Sequence, residues 1–449
     1  MHSFDSRAER TLELAIDYVR NRLAQEPIPL DHSATLAELL VAAPGLIGED
    51  PVDPEIVFEQ YESVIAKAVI SADSERFLSF IPSAPTKASC LFDMVVSASA
   101  LNGTSWLESA GAIYAENQAL RVIADQAGFG PDAGGCFVSG GSAGNLSALT
   151  VARDVARARR GDRARMRILA SAEAHSSIKN TASILDCDIV PVPIWHGRLE
   201  GDALRAAAAA DSDPDTICAV VATAGTTNAG IIDDLAGAAE VAHRYGWWFH
   251  VDAAYGGAGL FAPSVRHRFT GIEQADSMIV DPHKWLFSPL DCAALIYAHP
   301  NKAKAVHTQD ASYLDSIRVN DAEWNPTDFA YHLSRRARGL ATWFSMAVYG
   351  LAAYRDAVES SLKTAAQIAD RIENSPHLDL ICRPDLSIVM FRRRGWSEAE
   401  YQDWSMRQLE AGTAFAMPSQ WEGEPMMRFA IVNPRTTLAM LDEILDTLG

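Results

Sequence analysis

The stretch Ser277-Met-Ile-Val-Asp-Pro-His-Lys-Trp285 places a lysine, Lys284, after a short apolar run and a histidine. The apolar run predicts a buried strand, so Lys284 is expected at the carboxyl end of that strand. Burial of an unpaired ammonium is costly, but partial desolvation lowers the pKa of a lysine and exposes a nucleophilic amine that forms Schiff bases. A surface lysine at a strand end is the commoner interpretation, and the rest of the sequence decides between the two.

A second strand end lies upstream, in Trp248-Phe-His-Val-Asp-Ala-Ala-Tyr-Gly-Gly257. Here the apolar run ends in Asp252, and two alanines follow it. A carboxylate at this position can keep a ring nitrogen protonated, which makes a heteroaromatic ring an electron sink, and the small residues leave room for a flat ring. Taken alone, an aspartate at a strand end is more often a helix cap or a turn residue.

Two further segments predict a phosphate site and a stacking partner. Gly140, Gly141 and Ser142 lie between a predicted strand and a predicted helix, where free backbone N–H groups can hold a phosphate. This turn matches neither the P-loop nor the dinucleotide-binding pattern. His175 follows the next strand and is placed to stack on an aromatic cofactor, although a lone histidine is usually structural.

The pattern along the chain predicts an α/β fold. The first hundred residues favour helices over 12–23, 34–40 and 56–68, then a shaped loop at the proline-rich 80–85. Further on we expect helices over 109–127, 145–160 and 233–245, and strands over 136–138, 167–172, 188–193, 216–222, 247–251, 277–280 and 293–298. Such alternation indicates a mostly parallel sheet covered on both faces, with ligands at the carboxyl ends of its strands. After residue 338 a long helix leads to a smaller C-terminal α/β part with strands over 386–391 and 426–432.

Composition and charge argue against several classes of function. The 449 residues are 48% hydrophobic and 21% charged, which is ordinary for a globular protein with a large core. The net charge of −20 disfavours binding to nucleic acid or to an anionic membrane surface. The N-terminus predicts an amphipathic helix, not a signal peptide, and no apolar run reaches the ~20 residues that span a bilayer. Six cysteines without a C-x-x-C pair indicate reduced thiols in a cytoplasmic protein and give no metal site.

Together these segments resemble the group II pyridoxal-phosphate-dependent amino-acid decarboxylases, typified by the aromatic-amino-acid and glutamate decarboxylases. The resemblance is carried by Gly-Gly-Ser at 140–142, Ala-His-Ser-Ser at 174–177, Gly-Thr-Thr at 225–227, His-Val-Asp-Ala-Ala-Tyr at 250–255 and Asp-Pro-His-Lys-Trp at 281–285. It implies the aspartate-aminotransferase-like fold of fold type I, with a seven-stranded, mixed but mostly parallel sheet in a large domain and a small C-terminal α/β domain. It also implies a homodimer with active sites at the interface. The expected parts are an N-terminal helical segment that wraps the partner (1–100), a large cofactor-binding domain (101–340) and a small domain (341–449).

The resemblance also implies residue roles. Lys284 would hold pyridoxal 5'-phosphate as a Schiff base, Asp252 would pair with the ring nitrogen, and His175 would stack on the ring; these three form the catalytic set. The other cofactor-binding positions would be Gly140, Gly141, Ser142, Thr226, Ala254 and His283. The implied reaction removes the carboxylate of an L-amino acid to give an amine and carbon dioxide.

The substrate pocket that the resemblance implies favours an apolar or aromatic side chain. Its expected residues are Phe80, Ile81, Pro82, Ser83 and, from the partner subunit, Thr104 and Trp106. Phe80 and Ile81 give no cation for an acidic side chain. The order of preference is therefore aromatic (tryptophan, tyrosine or phenylalanine), then branched aliphatic, then acidic.

One departure from the family pattern keeps other reactions open. Aromatic decarboxylases carry a tyrosine in a mobile loop, and alignment on residues 334–336 puts Pro326 at that position, with Tyr313 and Tyr331 nearby. Members that lack the tyrosine can instead run an oxygen-dependent conversion to an aldehyde. The remaining alternatives are a transaminase or lyase on the same fold and a cofactor-binding protein without turnover.

Overall fold

The computed structural model describes residues 2–82, 84–309 and 323–449. The helices are α1 (Ser6–Ala24), α2 (Leu36–Ala42), α3 (Pro54–Gln60), α4 (Lys87–Ala98), α5 (Trp106–Gln126), α6 (Gly141–Arg160), α7 (Ser176–Ile184), α8 (Gly201–Ala210), α9 (Leu235–Tyr245), α10 (Pro300–His307), α11 (Leu340–Glu373), α12 (Glu398–Glu410) and α13 (Leu438–Asp446). The strands are β1 (Gly134–Val138), β2 (Arg167–Ser171), β3 (Asp188–Val192), β4 (Ile194–Trp195), β5 (Arg198–Leu199), β6 (Ile217–Thr223), β7 (Trp248–Asp252), β8 (Ser277–Val280), β9 (Ala293–Tyr297), β10 (Leu378–Leu380), β11 (Ile388–Arg393), β12 (Pro418–Trp421) and β13 (Glu424–Ala430).

The large sheet has seven strands in the order β1-β9-β8-β7-β6-β2-β3. Only β9 runs against its neighbours, pairing antiparallel with β1 and β8, while the pairs from β8 to β3 are parallel. The prediction of a mixed, mostly parallel seven-stranded sheet is therefore confirmed. Because β2, β6, β7 and β8 run the same way, the residues that follow them gather along one edge of the sheet.

Both faces of this sheet are buried. Along β6, Val220 and Ala222 belong to one apolar cluster, and Ala219 and Val221 belong to the cluster on the opposite face. The first cluster packs under α5, α8, α9 and α11, and the second under α6, α7 and α10. This double burial explains why the strands are continuous apolar runs in the sequence and do not alternate with polar residues.

The C-terminal region carries a second sheet, which is antiparallel and has the order β10-β11-β13-β12. It packs against α12, α13 and the second half of α11 through a separate apolar cluster. Helix α11 is kinked at Gly350, whose φ of 73° lies in the region that glycine adopts at no steric cost. Of the described residues, none form a helix both long and apolar enough to cross a bilayer.

Several boundaries differ from the sequence predictions for identifiable reasons. Helix α1 begins at Ser6 and not near residue 12, because the Asp5 carboxylate caps it by accepting from the N–H groups of Arg7 and Ala8. Helix α6 begins at Gly141 and not at 145, so the glycines form its first turn. Helix α4, capped by Thr86, and the short hairpin of β4 and β5 were not predicted.

A buried ion pair fixes the start of α11 against α5. Arg335 and Glu116 have side chains only 1% and 2% exposed, and they form two parallel hydrogen bonds of 2.7 and 2.8 Å. Glu116 also accepts from the Gly339 N–H at 2.7 Å, and Arg335 donates to the Gly103 carbonyl at 2.8 Å. Removing one member would leave the other charge buried without compensation.

We therefore expect Arg335→Ala to lower the free energy of unfolding by about 3–5 kcal/mol, measured by urea unfolding at one fixed protein concentration. Arg371→Ala is the matched control, because Arg371 is 60% exposed and lies 3.5 Å from Asp442. Exposed pairs of that kind contribute little to stability. Equal unfolding midpoints for the two variants would contradict the role of the buried pair.

Candidate active site

Most of the predicted cofactor residues lie together at the carboxyl edge of the large sheet. Asp252 ends β7, and Lys284 follows β8 in a short turn. A Cβ atom placed on Gly141 would lie 3.2 Å from the Ala254 Cβ, and one on Gly140 would lie 3.6 Å from the His283 ring. The turn before α6 and the segments after β7 and β8 thus enclose one small space.

The amine of Lys284 lies among carboxylates. Its Nζ is 2.9 Å from Asp281 Oδ2, and its side chain is 26% exposed, so a small molecule can reach it. Burial alone would lower the pKa of Lys284, but the charges of Asp281 and Asp252 and the hydrogen bond to Asp281 raise it above its ordinary value. The expectation of a lowered pKa from desolvation is therefore wrong for this arrangement, because the two carboxylates outweigh burial.

Asp252 is buried and held from two sides. Its Oδ1 accepts from the Ala254 N–H at 3.1 Å, and its Oδ2 accepts from Asn145 Nδ2 at 2.9 Å. Asn145 lies one turn into α6 and is also buried. The sequence analysis missed this residue, although an amide side chain four positions after the Gly141 start of a helix faces the same side as that start.

A chain of hydrogen bonds runs through Asn145 with one consistent direction. Because Asn145 Nδ2 donates to Asp252, its Oδ1 accepts, so His250 Nε2 donates to it at 2.8 Å. His250 Nδ1 then accepts from the Ser277 hydroxyl at 2.8 Å, and that oxygen accepts from Trp248 Nε1 at 2.7 Å. This is the pattern of a neutral His250, the form that burial favours by lowering its pKa to about 4.

His175 is tied to the same chain. Asn145 Nδ2 also donates to Ser177 Oγ at 2.9 Å, and His175 Nδ1 lies 2.8 Å from that hydroxyl. The Ser177 N–H donates to the same ring nitrogen at 3.2 Å. Since Nδ1 of His175 accepts, a neutral ring carries its proton on Nε2.

His175 lines a cavity of about 440 Å³ together with Phe80, Glu173, Met417 and Arg428. Burial raises the pKa of Glu173. The cavity is therefore bounded by an aromatic ring, a thioether, a carboxyl group and a guanidinium.

Arg428 was given little weight from the sequence, yet its position is distinctive. Its side chain is buried and donates to the carbonyls of Thr227 and Phe80, each at 3.0 Å. Across residues 2–82, 84–309 and 323–449, no carboxylate lies within ion-pair distance of it. Burial lowers its pKa to about 10. A buried cation without an acidic neighbour at a cavity wall favours an anionic ligand.

The other predicted positions are less closely gathered. Thr226 is buried in the turn after β6, where its N–H and hydroxyl pair with the backbone of Ile231. Ser142 is exposed in the first turn of α6. Ile81 and Pro82 lie beside Phe80 in the chain but are not among the cavity's lining residues, and Ser83 lies outside the described residues.

Thr104 and Trp106 lie away from the cavity of their own chain. The Thr104 hydroxyl donates to Asn102, and the Trp106 N–H donates to Asn325 Oδ1 at 2.9 Å. Of the candidate loop residues, Pro326 starts a buried 3₁₀ turn and Tyr331 is exposed near Ser147. Tyr313 lies outside the described residues.

The donor set fits pyridoxal phosphate. A reachable amine, a buried carboxylate oriented by an amide, and the N-terminus of a 20-residue helix meet at one edge. These groups supply a covalent attachment point, a partner for a pyridinium nitrogen and backbone N–H groups for a phosphate. At Gly141 a Cβ atom would also lie 3.0 Å from Asp281 Oδ2, so a side chain there would crowd this carboxylate.

The neutral state of His250 predicts a pH dependence of stability. Its folded pKa of about 4 lies below the unfolded value of about 6.5, so the unfolded chain binds the proton more readily and stability falls as the pH falls. When the pH falls from ~7 to ~5, we expect protonation of His250 in the unfolded chain to lower the free energy of unfolding by about 2 kcal/mol. In urea unfolding at both pH values, His250→Gln should lose this difference while His32→Gln, at an exposed site, should keep it. An identical pH slope in wild type and His250→Gln would count against the neutral chain of hydrogen bonds.

Comparisons with known proteins agree with this chemistry. The family model of the pyridoxal-dependent decarboxylase conserved domain matches residues 41–394. An aromatic-L-amino-acid decarboxylase of Bacillus atrophaeus is 27% identical over 97% of this chain and 92% of its own length. An L-2,4-diaminobutyrate decarboxylase of Rhizobium meliloti is 32% identical over 80% of this chain and 74% of its own. The solved structure of Oryza sativa TDC with PLP and tryptamine has a TM-score of 0.91 at 24% identity, covering 100% of this chain and 99% of the other, and shows the shared fold.

The matched domain spans most of the chain and includes the glycine turn, His175, Asp252 and Lys284. It accounts for the sheet, for the amine at its edge and for the cofactor that the donor set fits. The chain belongs to the pyridoxal-dependent decarboxylase family and is a pyridoxal-phosphate-dependent amino-acid decarboxylase.

Proposed function

We propose that this enzyme decarboxylates an aromatic L-amino acid, and that Lys284, Asp252 and His175 are its catalytic residues. The observation that carries the residue assignment is the convergence of the Lys284 amine, the oriented Asp252 carboxylate and the N-terminus of α6. The aromatic substrate is supported by the relative named for that activity, which matches almost the whole chain.

Different residues would hold the phosphate, the ring and the ring nitrogen of the cofactor. Gly140, Gly141 and Ser142 at the start of α6, with His283, would hold its phosphate. Thr226 and Ala254 would border the ring. When bound, pyridoxal phosphate supplies the electron sink that lets the bond between Cα and the carboxylate break. Asp252 would keep the ring nitrogen protonated, and Asn145 orients its carboxylate by a hydrogen bond.

The substrate carboxylate would enter beside Arg428. That guanidinium lines the cavity with His175, and its hydrogen bonds to two carbonyls hold it without neutralising it. His175 would contribute the flat face of its ring, with Nδ1 fixed by Ser177 and Nε2 available to hold a proton. Both groups therefore orient the amino acid for loss of its carboxylate.

The residues that line the cavity favour some substrate side chains over others. Phe80 and Met417 offer apolar surface to an aromatic ring, while Glu173 repels an acidic side chain. A cationic side chain is the second candidate, because Glu173 can pair with it. The L-2,4-diaminobutyrate decarboxylase among the relatives favours the same second candidate.

Product identification by mass spectrometry tests this function. The holoenzyme is incubated with tryptophan, tyrosine, phenylalanine, leucine, glutamate and 2,4-diaminobutyrate. We expect amine from the aromatic substrates, loss of product in Lys284→Ala, and normal turnover in Lys302→Ala, whose lysine is exposed and pairs with Asp276.

Each other outcome has a defined meaning. Amine from diaminobutyrate alone would replace the aromatic substrate by the cationic one. Aldehyde with hydrogen peroxide would identify oxygen-dependent aldehyde synthesis in place of simple decarboxylation. A keto acid would indicate transamination, and no product from any substrate would refute the catalytic assignment.

We also infer a homodimer that shares residues between active sites. Thr104 and Trp106 lie away from their own cavity, and large apolar side chains are exposed along the N-terminal segment. These exposed side chains are Leu12, Ile16, Leu36, Leu40, Val41, Ile47, Ile56 and Val57. An apolar surface of this extent is typical of an interface. In the same proposal the chain has three parts: an N-terminal segment (1–100) that covers the partner subunit, a large cofactor-binding domain (101–340) and a small C-terminal domain (341–449).

A cytoplasmic location is a further part of the proposal. It is supported by the six cysteines, all of which are free thiols. Free, mostly buried thiols of this kind are usual in a reducing compartment.

Complementation tests the shared site. Thr104→Arg should inactivate the enzyme by blocking the partner's cavity, and mixing it with Lys284→Ala should restore about a quarter of wild-type activity, because half of the dimers then hold one complete site. A mixture of Asp252→Ala with Lys284→Ala is the control and should stay inactive, since those two residues belong to one chain's site. Failure of the first mixture to regain activity, with both variants folded and dimeric, would remove Thr104 from the partner's site.

A further inference from the structure

The carboxylate of Asp281 lies where three hydrogen-bond donors converge. Its Oδ2 is 2.9 Å from Lys284 Nζ, accepts from the Gly141 N–H at 3.2 Å and lies 3.5 Å from His283 Nε2. The side chain is only 1% exposed, and its other oxygen, Oδ1, has no hydrogen-bond partner among the described residues. Asp281 is thus a buried anion whose second oxygen faces no donor.

The hydrogen bonds of His283 place the proton of its neutral ring on the nitrogen nearer this anion. The Cys292 N–H donates to His283 Nδ1 at 2.9 Å, so the neutral ring carries its proton on Nε2. Burial lowers the pKa of His283, which favours the neutral ring. The nitrogen that carries the proton therefore lies 3.5 Å from the same oxygen that Gly141 and Lys284 contact.

These donors are the ones that a phosphate would need. Gly140 is the N-cap of α6, and Gly141 is its first residue. The N–H of Gly141 therefore has no partner within the helix and is one of the donors at the positive end of this long helix. A phosphate at this helix end would accept from the Gly141 N–H and from His283 Nε2, where Asp281 Oδ2 already lies. Two anions at one small donor set repel each other in a site of low dielectric.

We propose that Asp281 is a negative determinant of cofactor affinity, whose carboxylate competes with the cofactor's phosphate group for the Gly141 N–H and His283. This inference rests on the proposed function, in which Gly140, Gly141, Ser142 and His283 hold that phosphate. Asp281 would affect cofactor binding through its charge. It also positions the Gly141 N–H and the Lys284 amine, which it contacts directly, and it is therefore a positioning residue and not a catalytic one.

A pair of ligands isolates the effect on the phosphate. Pyridoxal has the same ring and aldehyde as pyridoxal phosphate but no phosphate group. The full-length chain is freed of cofactor and titrated with each ligand, and the dissociation constants are read from the absorbance change on binding. Asp281→Asn keeps the size and the acceptor oxygen of the side chain but removes its charge.

We expect Asp281→Asn to tighten the binding of pyridoxal phosphate about tenfold or more relative to pyridoxal. Asp276→Asn is the matched control, because Asp276 lies at the other end of β8, where it accepts from the Phe249 N–H at 3.0 Å and pairs with Lys302. This control removes the same charge at the opposite end of β8 and should leave the ratio of the two dissociation constants unchanged.

Three outcomes would overturn the inference. Weaker or unchanged binding of pyridoxal phosphate in Asp281→Asn would mean that the carboxylate supports the cofactor or is indifferent to it. Equal tightening of both ligands would place its effect on the amine and not on the phosphate. A wild-type chain that binds neither ligand would refute the proposed function as well. If the wild type binds both ligands and Asp281→Asn has the same ratio of dissociation constants, this inference alone is refuted.

A second variant and a second probe keep the test independent of one protein preparation. Asp281→Ser is titrated in the same way if Asp281→Asn does not fold. Inorganic phosphate should raise the thermal unfolding midpoint of either variant more than that of the wild type, since the donors are no longer held by a carboxylate. An equal rise in wild type and variant would contradict competition at this site.

Discussion

The hydrogen bond from Asn145 to Asp252 is the interaction on which the rest of the active site depends. Asn145 gives its two amide hydrogens to Asp252 and Ser177, and its oxygen accepts from His250. One buried amide therefore orients the carboxylate of Asp252 and, through Ser177, the imidazole of His175. With His250 neutral, each member of the chain has one donor or acceptor role, and the network has a single arrangement of protons.

The fold delivers this arrangement through a single helix start. Gly141 and Asn145 are four residues apart at the beginning of α6, so they face the same side of the helix. The helix end that offers N–H groups to a phosphate thus also carries the amide that holds Asp252. Asp252 and the turn with Lys284 come from the neighbouring parallel strands β7 and β8, whose ends meet at the same edge. A shift of α6 by one residue would disturb both the phosphate donors and the carboxylate.

Sequence reasoning predicted the parts of this site that follow from strand ends. Lys284, Asp252 and His175 each follow an apolar run, and a parallel sheet brings such positions together without any knowledge of side-chain contacts. It could not identify Asn145, because a polar residue inside a predicted helix has the same appearance whether it is solvated or buried. The start of α6 at Gly141 was missed because glycine is a poor helix former, so a sequence pattern places the helix start after the glycines.

Long-range contacts explain the other gaps. Arg428 lies on β13 of the small sheet, and only the packing of that sheet against the large one places it in the cavity with His175. The raised pKa of Lys284 depends on Asp281 and Asp252 acting together, which no local pattern reveals. In the substrate pocket, Phe80 lines the cavity while Ile81 and Pro82 do not, and the placement of Thr104 and Trp106 in a partner's site stays a prediction.

The balance of charge around Lys284 shows what kind of binding the site can support. Lys284 and Arg428 supply two positive charges, Asp252 and Asp281 supply two negative ones, and Glu173 adds a third carboxyl group, so the protein groups that surround the site carry no net positive charge. A phosphate therefore gains little from net attraction, least of all in a chain of net charge −20. In the proposed function, binding of the cofactor would instead come from the N–H groups at the start of α6, from contact of the ring with His175 and Ala254, and from covalent attachment to Lys284. A site built in this way selects a ligand by the placement of its ring and aldehyde, and its affinity for the phosphate depends on which anion the donors already hold.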